Sequence, residues 1–196
     1  MAQPHAITPA DLLDYAAYAA VRPERRRAIA ARKRDRRMEV GPFVTFYFEC
    51  HATMLMQIQE MLHIEKGGAA QIPDELAAYN PLVPNGHELV ATFMIEIDDP
   101  VRRANVLARL GGIEETVFLR VGGETIRATA EADQDRTSED GKASSVQFVH
   151  FPFTQAQIAA FRAPGTEIVL GLDHPNYRHM AVLPETVRAE LADDFD

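Results

Sequence analysis

The chain has 196 residues, of which 46% are hydrophobic and 25% charged, so its composition is that of an ordinary globular protein and not of a disordered one. No apolar run reaches the roughly 18 residues of a membrane span, and the N-terminus lacks the basic-then-apolar pattern of a secretion signal. The single cysteine, Cys50, excludes an internal disulfide framework and predicts a cytoplasmic protein.

The net charge of −9 is unevenly distributed along the chain. Residues 1–40 hold nine Lys and Arg against five Asp and Glu, about +4, and the remainder holds 11 basic and 24 acidic residues, about −13. An acidic body repels nucleic acid at long range, and no aromatic residues alternate with the arginines, so both features argue against nucleic-acid binding. We expect the basic segment to stay solvated or to dock on an acidic surface, of which the chain's own body is the nearest.

The N-terminal residues predict two helices. The first follows Thr8 and Pro9, which suit a cap and a first helical position. The second starts at Pro23 and continues to Arg37 with its charges all round the axis, so it buries little of its surface. We therefore predict a basic helical arm at residues 1–40 and a single α+β domain at residues 41–196.

The middle of the chain predicts a strand, a helix and a long link. The strand is "GPFVTFYFE", which is rich in β-branched and aromatic residues. The helix that follows has about 16 residues and ends at Gly67-Gly68, where glycine favours a helix terminus. The turn-rich link then reaches residue 87 with one short helix begun at Pro73.

The second half predicts mainly strands. Helices are expected at 99–111, after Thr154 and after Pro184, and a polar loop at 134–143. A two-residue hairpin signal occurs at Gly122-Gly123. Because hairpins and short excursions favour antiparallel pairing, we predict an α+β fold whose N-terminal helices pack on a mainly antiparallel sheet, curled into a sandwich or half-barrel.

The helix after residue 49 carries the densest cluster of chemically active residues. At about 100° per residue, one face is an apolar stripe, and the other gathers Glu49, Glu60 and His63. The stripe consists of Leu55, Ile58 and Leu62. Glu60 and His63 have the Glu-x-x-His spacing of di-iron bundles, but only one such pair occurs, so the chain is not itself such a bundle. A mononuclear site for iron or another divalent metal, a buried polar network and a solvated face all remain open.

A second cluster follows a predicted strand in "GLDHPNYRH". Asp173, His174 and Tyr177 lie at a strand end and turn, where donors often converge on a site. Successive residues of an extended strand point to opposite sides, so Asp173 and His174 bind one ion only if the turn bends them together. A turn that serves backbone geometry alone is the alternative.

Motifs that carry common reactions do not occur in this sequence. It lacks a phosphate loop, a dinucleotide fingerprint, a serine elbow, a paired-cysteine zinc motif and His-Glu-x-x-His. His51 follows Cys50 directly, and adjacent helical residues point about 100° apart, so this pair does not suit a thiolate with its base. The sequence thus reveals no reaction and leaves open whether the chain is an enzyme.

Three segments together resemble a bacterial protein family: "FYFECHATMLMQIQEMLHIE", "SSVQFVHFPFT" and "LGLDHPNY". It is an uncharacterised family of unknown function, of the DUF type, whose genes lie beside those of a rubrerythrin-type di-iron protein and an iron–sulfur oxidoreductase. The resemblance covers nearly the whole chain. Its most specific part, "QIQEM…E", places Gln57, Gln59, Glu60 and Glu65 on the family pattern.

This chain departs from the family at several positions of the same helix. The family has Arg where this chain has His63, and Asn-Arg where it has Cys50-His51. The resemblance therefore weakens the Glu-x-x-His interpretation. It makes a polar site the better hypothesis, with these candidates: Glu49, Gln57, Glu60 and Glu65.

The resemblance implies a role near redox chemistry rather than a reaction. We expect an accessory or interaction protein of a cytoplasmic iron-dependent redox or peroxide-defence system, without self-contained catalysis. Rubrerythrin-like and iron–sulfur proteins are the expected partners, and the oligomeric state stays open, a homo-oligomer included. The alternative is a small metal- or ligand-binding enzyme or sensor that uses the helix face of Glu49, Glu60 and His63.

Overall fold

A computed structural model describes residues 4–131 and 141–196. The described part contains six α-helices: α1 (Tyr15–Arg34), α2 (His51–Glu65), α3 (Ile72–Tyr79), α4 (Pro100–Leu107), α5 (Gln155–Arg162) and α6 (Glu185–Ala192). It also contains nine strands: β1 (Arg37–Val40), β2 (Val44–Glu49), β3 (Glu88–Ile95), β4 (Val117–Val121), β5 (Glu124–Arg127), β6 (Thr129–Ala130), β7 (Val146–Pro152), β8 (Ile168–His174) and β9 (Tyr177–Val182).

The strands form two sheets. A five-stranded sheet has the order β1-β2-β3-β7-β6, and a four-stranded sheet has the order β5-β4-β8-β9. All pairings between these strands are antiparallel. The predicted hairpin turns at Gly122 and Gly123, whose φ angles of 56° and 99° favour glycine. The α+β prediction with a mainly antiparallel sheet is confirmed.

One hydrophobic core joins the two sheets. Alternate residues of each strand point inward, as a period of two requires. Phe46 and Phe93 of the five-stranded sheet and Leu119 and Leu170 of the four-stranded sheet are each 0% exposed in one cluster. This shared core positions the loops and helices that carry the candidate sites.

Helix α2 covers the outer face of the five-stranded sheet. Ile58 is fully buried in one cluster with Val90 of β3. Leu55 and Leu62, the other members of the predicted stripe, pack partly buried against the same cluster. Lys66, with a φ of 59°, ends the helix just before the predicted Gly67. The N-terminal helices thus pack on a sheet as predicted.

The start of the first helix was predicted too early. Thr8 caps only a short 3-10 turn at Pro9–Asp11, where the Asp11 carboxylate accepts from the Thr8 N–H at 2.8 Å. The chain then becomes extended, and α1 begins at Tyr15 with Asp14 as its cap. The local cap signal of Thr8 is satisfied within the short turn, so it does not require a longer helix.

The prediction of a second helix at Pro23 is wrong, because Pro23 lies inside the single helix α1. Proline removes one intrahelical hydrogen bond. The helix continues because it is anchored on either side of the proline. Arg22 Nε donates to Glu60 of α2 at 2.7 Å, and Arg32 Nε donates to Glu190 of α6 at 3.0 Å. The basic helix therefore docks on acidic side chains of its own chain.

The arginine-rich segment ends its helix earlier than predicted. Residues 37–40 form β1, in which Met38 and Val40 are buried while Arg37 and Glu39 are exposed. This alternation is typical of a half-buried strand and competes with the helical propensity of the arginines. Strand β1 pairs with β2, so it attaches the last residues of the predicted basic arm to the sheet that follows.

Three remaining predictions concern other parts of the chain. The helix expected at 99–111 is shorter, Pro100–Leu107, with Asp99 as its cap. Most of the polar loop expected at 134–143 lies outside the described residues. None of the helices in the described ranges combines the length and apolar character needed to cross a membrane.

Candidate functional site

Glu49 is a buried carboxylate at the end of β2. Its side chain accepts from the hydroxyl of Thr53 and from the hydroxyl of Thr92, each at 2.7 Å. The residue is 5% exposed, so hydrogen-bond donors must replace the water it loses. The nearby Arg36 guanidinium donates to the backbone carbonyl of Glu49 at 2.8 Å. Glu49 therefore belongs to a buried hydrogen-bond network that connects β2, β3 and the start of α2.

Glu60 is held by donors from helix α1. Its carboxylate accepts from Tyr18 Oη at 2.6 Å and from Arg22 Nε and Nη2 at 2.7 and 2.8 Å. Arg26 adds a weaker ion pair at 3.5 Å. The bidentate hydrogen bonds from Arg22, aided by Tyr18, lower the pKa of Glu60 to about 2. Both oxygens of this ionised carboxylate are therefore engaged by α1.

His63 of helix α2 lies between the rings of two tyrosines that both belong to helix α1. The Tyr15 ring stacks on the imidazole with centroids 4.7 Å apart and planes 14° apart. The Tyr18 ring meets it edge-on at 5.6 Å. Among the described residues, the buried Nδ1 atom of His63 has no hydrogen-bond partner. An unpaired buried nitrogen is costly and is uncommon in folded proteins.

A cavity of about 530 Å³, which we call the α1–α2 cavity, opens beside this aromatic group. Its lining is Leu13, Asp14, Tyr15, Tyr18, Gln59, Leu62, His63, Lys66, Gly68, Ala69 and Ile72. Gln59 is 2% exposed and fixes one wall, because its amide accepts from the Leu13 N–H at 2.6 Å and donates to the Leu13 carbonyl at 3.3 Å. Lys66 Nζ lies 5.9 Å from the Tyr15 ring centroid.

The other two polar candidates of α2 point toward helix α3 and the segment before it. Gln57 Nε2 donates to Tyr79 Oη at 3.3 Å. Glu65 accepts from Gln71 Nε2 at 2.7 Å. These bonds fasten α2 to the link between α2 and β3. Gln57 and Glu65 thus have partners different from those of Glu60.

Asp173 and His174 point to opposite sides of β8, as alternation along a strand predicts. Asp173 is exposed and pairs with Arg178 of β9 at 2.5 Å. His174 is buried, and its Nδ1 accepts from the Asn176 N–H at 3.2 Å. Its Nε2 lies 3.3 Å from the Gly111 carbonyl, so Nε2 carries the proton and donates. His174 therefore supports the turn, and the turn does not bring it beside Asp173.

Tyr177 fastens the β8–β9 hairpin to the β1–β2 turn. Its hydroxyl donates to the Val40 carbonyl at 2.7 Å and accepts from the Phe43 and Val44 N–H groups at 3.3 and 3.2 Å. Burial raises the pKa of this phenol. A Cβ at Gly41, whose φ is 76°, would collide with the Tyr177 hydroxyl. The hydroxyl is therefore a structural group, while the ring remains beside a groove.

The residues predicted as metal ligands, Glu49, Glu60, His63, Asp173 and His174, have separate sets of partners. Within residues 4–131 and 141–196, no group of three or more His, Cys, Asp or Glu is arranged to hold a metal ion. The chemistry of Glu60 illustrates the reason, because guanidinium donors already take the lone pairs that a metal would need. Binding of iron or another divalent metal stays a prediction.

Several residues that organise the site were not among the sequence candidates. Tyr15, Tyr18 and Gln59 form the cavity, and Arg36 forms the most buried ion pair. Arg36 is 1% exposed and donates to Asp194 and to the Phe48 carbonyl, the latter at 3.0 Å. One signal was available, since Arg36 is in phase with the buried Met38 and Val40 of β1.

Comparisons with known proteins place this architecture in a family. The family model described as "Protein of unknown function (DUF3501)" matches residues 6–195. A crystal structure of a novel protein of unknown function from Burkholderia pseudomallei K96243 is 40% identical to this chain, with a TM-score of 0.90. That similarity covers 97% of this chain and 99% of the other. No curated protein matches. The chain belongs to the DUF3501 family of proteins of unknown function.

Proposed function

We propose that this protein binds a small, flat, largely apolar molecule in the α1–α2 cavity and acts as a sensor or carrier of it. The observation that carries the proposal is the aromatic wall of the cavity, where two tyrosine rings frame the imidazole of His63. A cavity with an apolar lining and few convergent polar groups is the usual form of a small-molecule site. Its volume of about 530 Å³ suits a ligand of one or two rings.

The frame of the cavity supports binding without a large rearrangement. Tyr18 is 0% exposed and its hydroxyl is fixed by Glu60, which Arg22 fixes in turn. Gln59 fastens the chain before α1 through two hydrogen bonds. Preorganised walls reduce the entropy that a ligand loses on binding. The cation of Lys66 at the margin favours an aromatic ligand with a negative group.

The anionic aromatic dye anilinonaphthalene sulfonate is a suitable probe for the cavity. We expect saturable binding to the full chain, weakened by at least about tenfold in Tyr15→Ala, because that variant removes the stacking surface. Tyr47→Ala is the matched control, since Tyr47 bonds Glu96 on the sheet away from the cavity. Equal affinity in Tyr15→Ala and wild type, with unchanged circular dichroism, would overturn the proposal.

We further propose that the protein serves as an accessory protein of a cytoplasmic iron-dependent redox or peroxide-defence system, without catalysis of its own. The proposed partners are rubrerythrin-like and iron–sulfur proteins, as the gene neighbourhood of the resembled family implies. Exposed side chains on the outer face of the four-stranded sheet support an interaction role. Arg127, Phe118, Gly171 and Met180 lie in register across its four strands.

The chemistry of this outer face favours an acidic partner surface. Phe118 lies over Gly171, where a Cβ would collide with its ring, so the centre of the face is flat and apolar. Met180 is 57% exposed beside it. Arg120 and Arg127 flank the apolar centre, and Arg120 Nη2 contacts the Met180 sulfur at 3.4 Å. Guanidinium groups around an apolar centre complement carboxylates on a partner.

Capture of purified partners tests the accessory role. Under anaerobic, low-salt conditions we expect the wild-type chain to retain a rubrerythrin-like or iron–sulfur partner, and Arg127→Glu to weaken capture at least about tenfold. Arg27→Glu is the control, because Arg27 makes the same charge change at an exposed position of α1. No capture by the wild-type chain, or equal losses in both variants, would contradict the proposal and leave the dye experiment unaffected.

A further inference from the structure

A second hollow, which we call the α4–β9 groove, lies between helix α4 and the β8–β9 hairpin. Its volume is about 590 Å³. Its floor is aromatic, because the Phe43 and Tyr177 rings lie 4.6 Å apart and the Tyr177 and His179 rings lie 4.4 Å apart. The Tyr177 ring is immobilised by the three hydrogen bonds of its hydroxyl, so this floor is formed before any ligand arrives.

Helix α4 directs a row of polar side chains along this floor. Arg102, Asn105 and the flanking Arg109 have spacings of three and four residues, which place them on one face of the helical segment, and all three line the groove. Within residues 4–131 and 141–196, neither guanidinium forms an ion pair. Arg103 on the same helix differs, because its Nη1 donates to the Ile97 carbonyl at 2.9 Å. The two groove arginines are thus guanidinium donors that the described part of the fold does not use.

The local charge of the groove is positive although the whole chain carries −9. Asp99 is the acidic residue of the lining, and its carboxylate accepts from the Arg102 N–H at 2.6 Å as the cap of α4. Arg102 and Arg109 supply two permanent positive charges against this one carboxylate. Guanidinium groups bind phosphate and carboxylate through paired hydrogen bonds. The groove therefore attracts an anion although the chain as a whole is acidic.

We infer that the α4–β9 groove binds a small aromatic anion, with its phosphate or carboxylate on Arg102 and Arg109 and its ring on the half-buried Phe43 and His179. The two halves of the site act on different parts of one molecule. The charged group gains hydrogen bonds from α4, and the ring gains stacking on the floor. A molecule that offers only one of these groups binds more weakly than one that offers both.

Phenyl phosphate is the probe, with inorganic phosphate, phenol and benzoate as comparisons, titrated into the full chain by calorimetry. We expect phenyl phosphate to bind at least about tenfold more tightly than inorganic phosphate or phenol, and its affinity to fall with added salt. The double variant Arg102→Gln, Arg109→Gln should lose at least about tenfold in affinity. Both arginines are exposed, so this variant keeps the fold. Benzoate shows whether carboxylate replaces phosphate, and either order of the two supports the site.

Two controls separate this groove from the α1–α2 cavity. Arg27→Gln removes an exposed arginine of α1 and should leave phenyl phosphate binding unchanged. Tyr15→Ala, which disables the other cavity, should also leave it unchanged. The inference is overturned if the double variant binds phenyl phosphate as wild type does, if phenyl phosphate binds no more tightly than inorganic phosphate, or if Tyr15→Ala abolishes the binding.

Discussion

The basic N-terminal segment forms ion pairs with acidic side chains in two places. The two pairs differ in how deeply their side chains are buried. Near the middle of α1, Arg22 and Glu60 have side chains 29% and 17% exposed. Just after α1, Arg36 and Asp194 have side chains 1% and 3% exposed. The deep pair ties the N-terminal segment to the C-terminal residues, while the shallow pair frames the α1–α2 cavity. One charge pattern thus stabilises the fold at one end and shapes a site at the other.

The deep pair should give the largest effect on stability. Arg36→Met leaves the Asp194 carboxylate buried without its cation, and we expect a loss of about 3–5 kcal/mol in the free energy of unfolding. Urea denaturation measures it. Arg27→Met, at an exposed position of α1, is the control and should change stability by less than about 0.5 kcal/mol.

The double variant Arg36→Met, Asp194→Leu sharpens the same test. Because it removes both buried charges, we expect it to recover a large part of the stability lost in Arg36→Met. A loss below about 1 kcal/mol in the single variant would show that the deep pair has no special role. It would also mean that the buried pair of Arg36 and Asp194 does not stabilise the fold more than the shallower pair of Arg22 and Glu60.

The shallow pair should give the second largest effect. Glu60→Gln loses the charge-assisted bonds from Arg22, and we expect a loss of about 1.5–3 kcal/mol at neutral pH. In wild type, the pKa of Glu60 is about 2, below the ordinary 4.5. Its contribution to stability is therefore complete above pH 4.5 and is lost as the pH falls toward about 2.

Denaturation at a series of pH values distinguishes the loss of stability caused by protonation of Glu60 from that caused by other carboxylates. In Glu60→Gln the decline of stability between pH 4.5 and about 2 should be shallower than in wild type. Asp173→Asn is the control, since Asp173 forms an exposed pair whose side chains are 51% and 70% exposed. An unchanged slope in Glu60→Gln would mean that Arg22 does not hold the carboxylate in its ionised form.

The elements that the sequence predicted differ in kind from those that it did not. The strands, the Gly122-Gly123 hairpin and α2 follow local patterns, because burial of one face sets a period of two or about 3.6 residues. Pro23 and β1 were misread because tertiary contacts of α1 and strand pairing of β1 override local propensity there. The anchors are Glu60 and Glu190 for α1, and the pairing with β2 for β1.

The partners of the candidate site residues were not predicted. His63 lines the α1–α2 cavity, whereas Glu60 is held by donors from α1. The donors on Glu60 come from 38 and 42 residues away, and no pattern within α2 encodes them. Tyr15 and Tyr18 looked like ordinary helix residues, since only the docking of α1 on α2 places their rings against His63.

A third charged group is His150 on β7, whose burial is intermediate. Its contribution to stability should be smaller and should be lost as the pH rises, whereas that of Glu60 is lost as the pH falls. His150 lies between the carboxylates of Glu88 at 3.1 Å and Glu131 at 2.9 Å. The hydrogen bond to Glu88, with that to Glu131, raises the pKa of His150 above the ordinary 6.5. The stabilisation is therefore complete below pH 6.5 and is lost as the pH rises through the folded-state value.

His150→Gln tests this sign by denaturation and by nuclear magnetic resonance titration of the imidazole in wild type. Glutamine keeps a hydrogen bond but no charge, so we expect a loss of roughly 1 kcal/mol at about pH 6 and a smaller loss at higher pH. His179→Gln is the control, because His179 contacts the Tyr177 ring and forms no ion pair with a carboxylate in the described ranges. A loss that grows with pH would reverse the proposed sign.

The smallest effect belongs to the exposed pair of Asp173 and Arg178, which extends the comparison to the surface. Water screens these charges, so Asp173→Asn should change the free energy of unfolding by less than about 0.5 kcal/mol at neutral pH, as measured by urea denaturation. Raising the salt concentration should abolish even that difference. A loss comparable to that of Glu60→Gln would show that depth does not order these pairs. Since His174 faces the other side of β8, such a loss would instead point to an unrecognised partner of Asp173 on the outer face of the sheet.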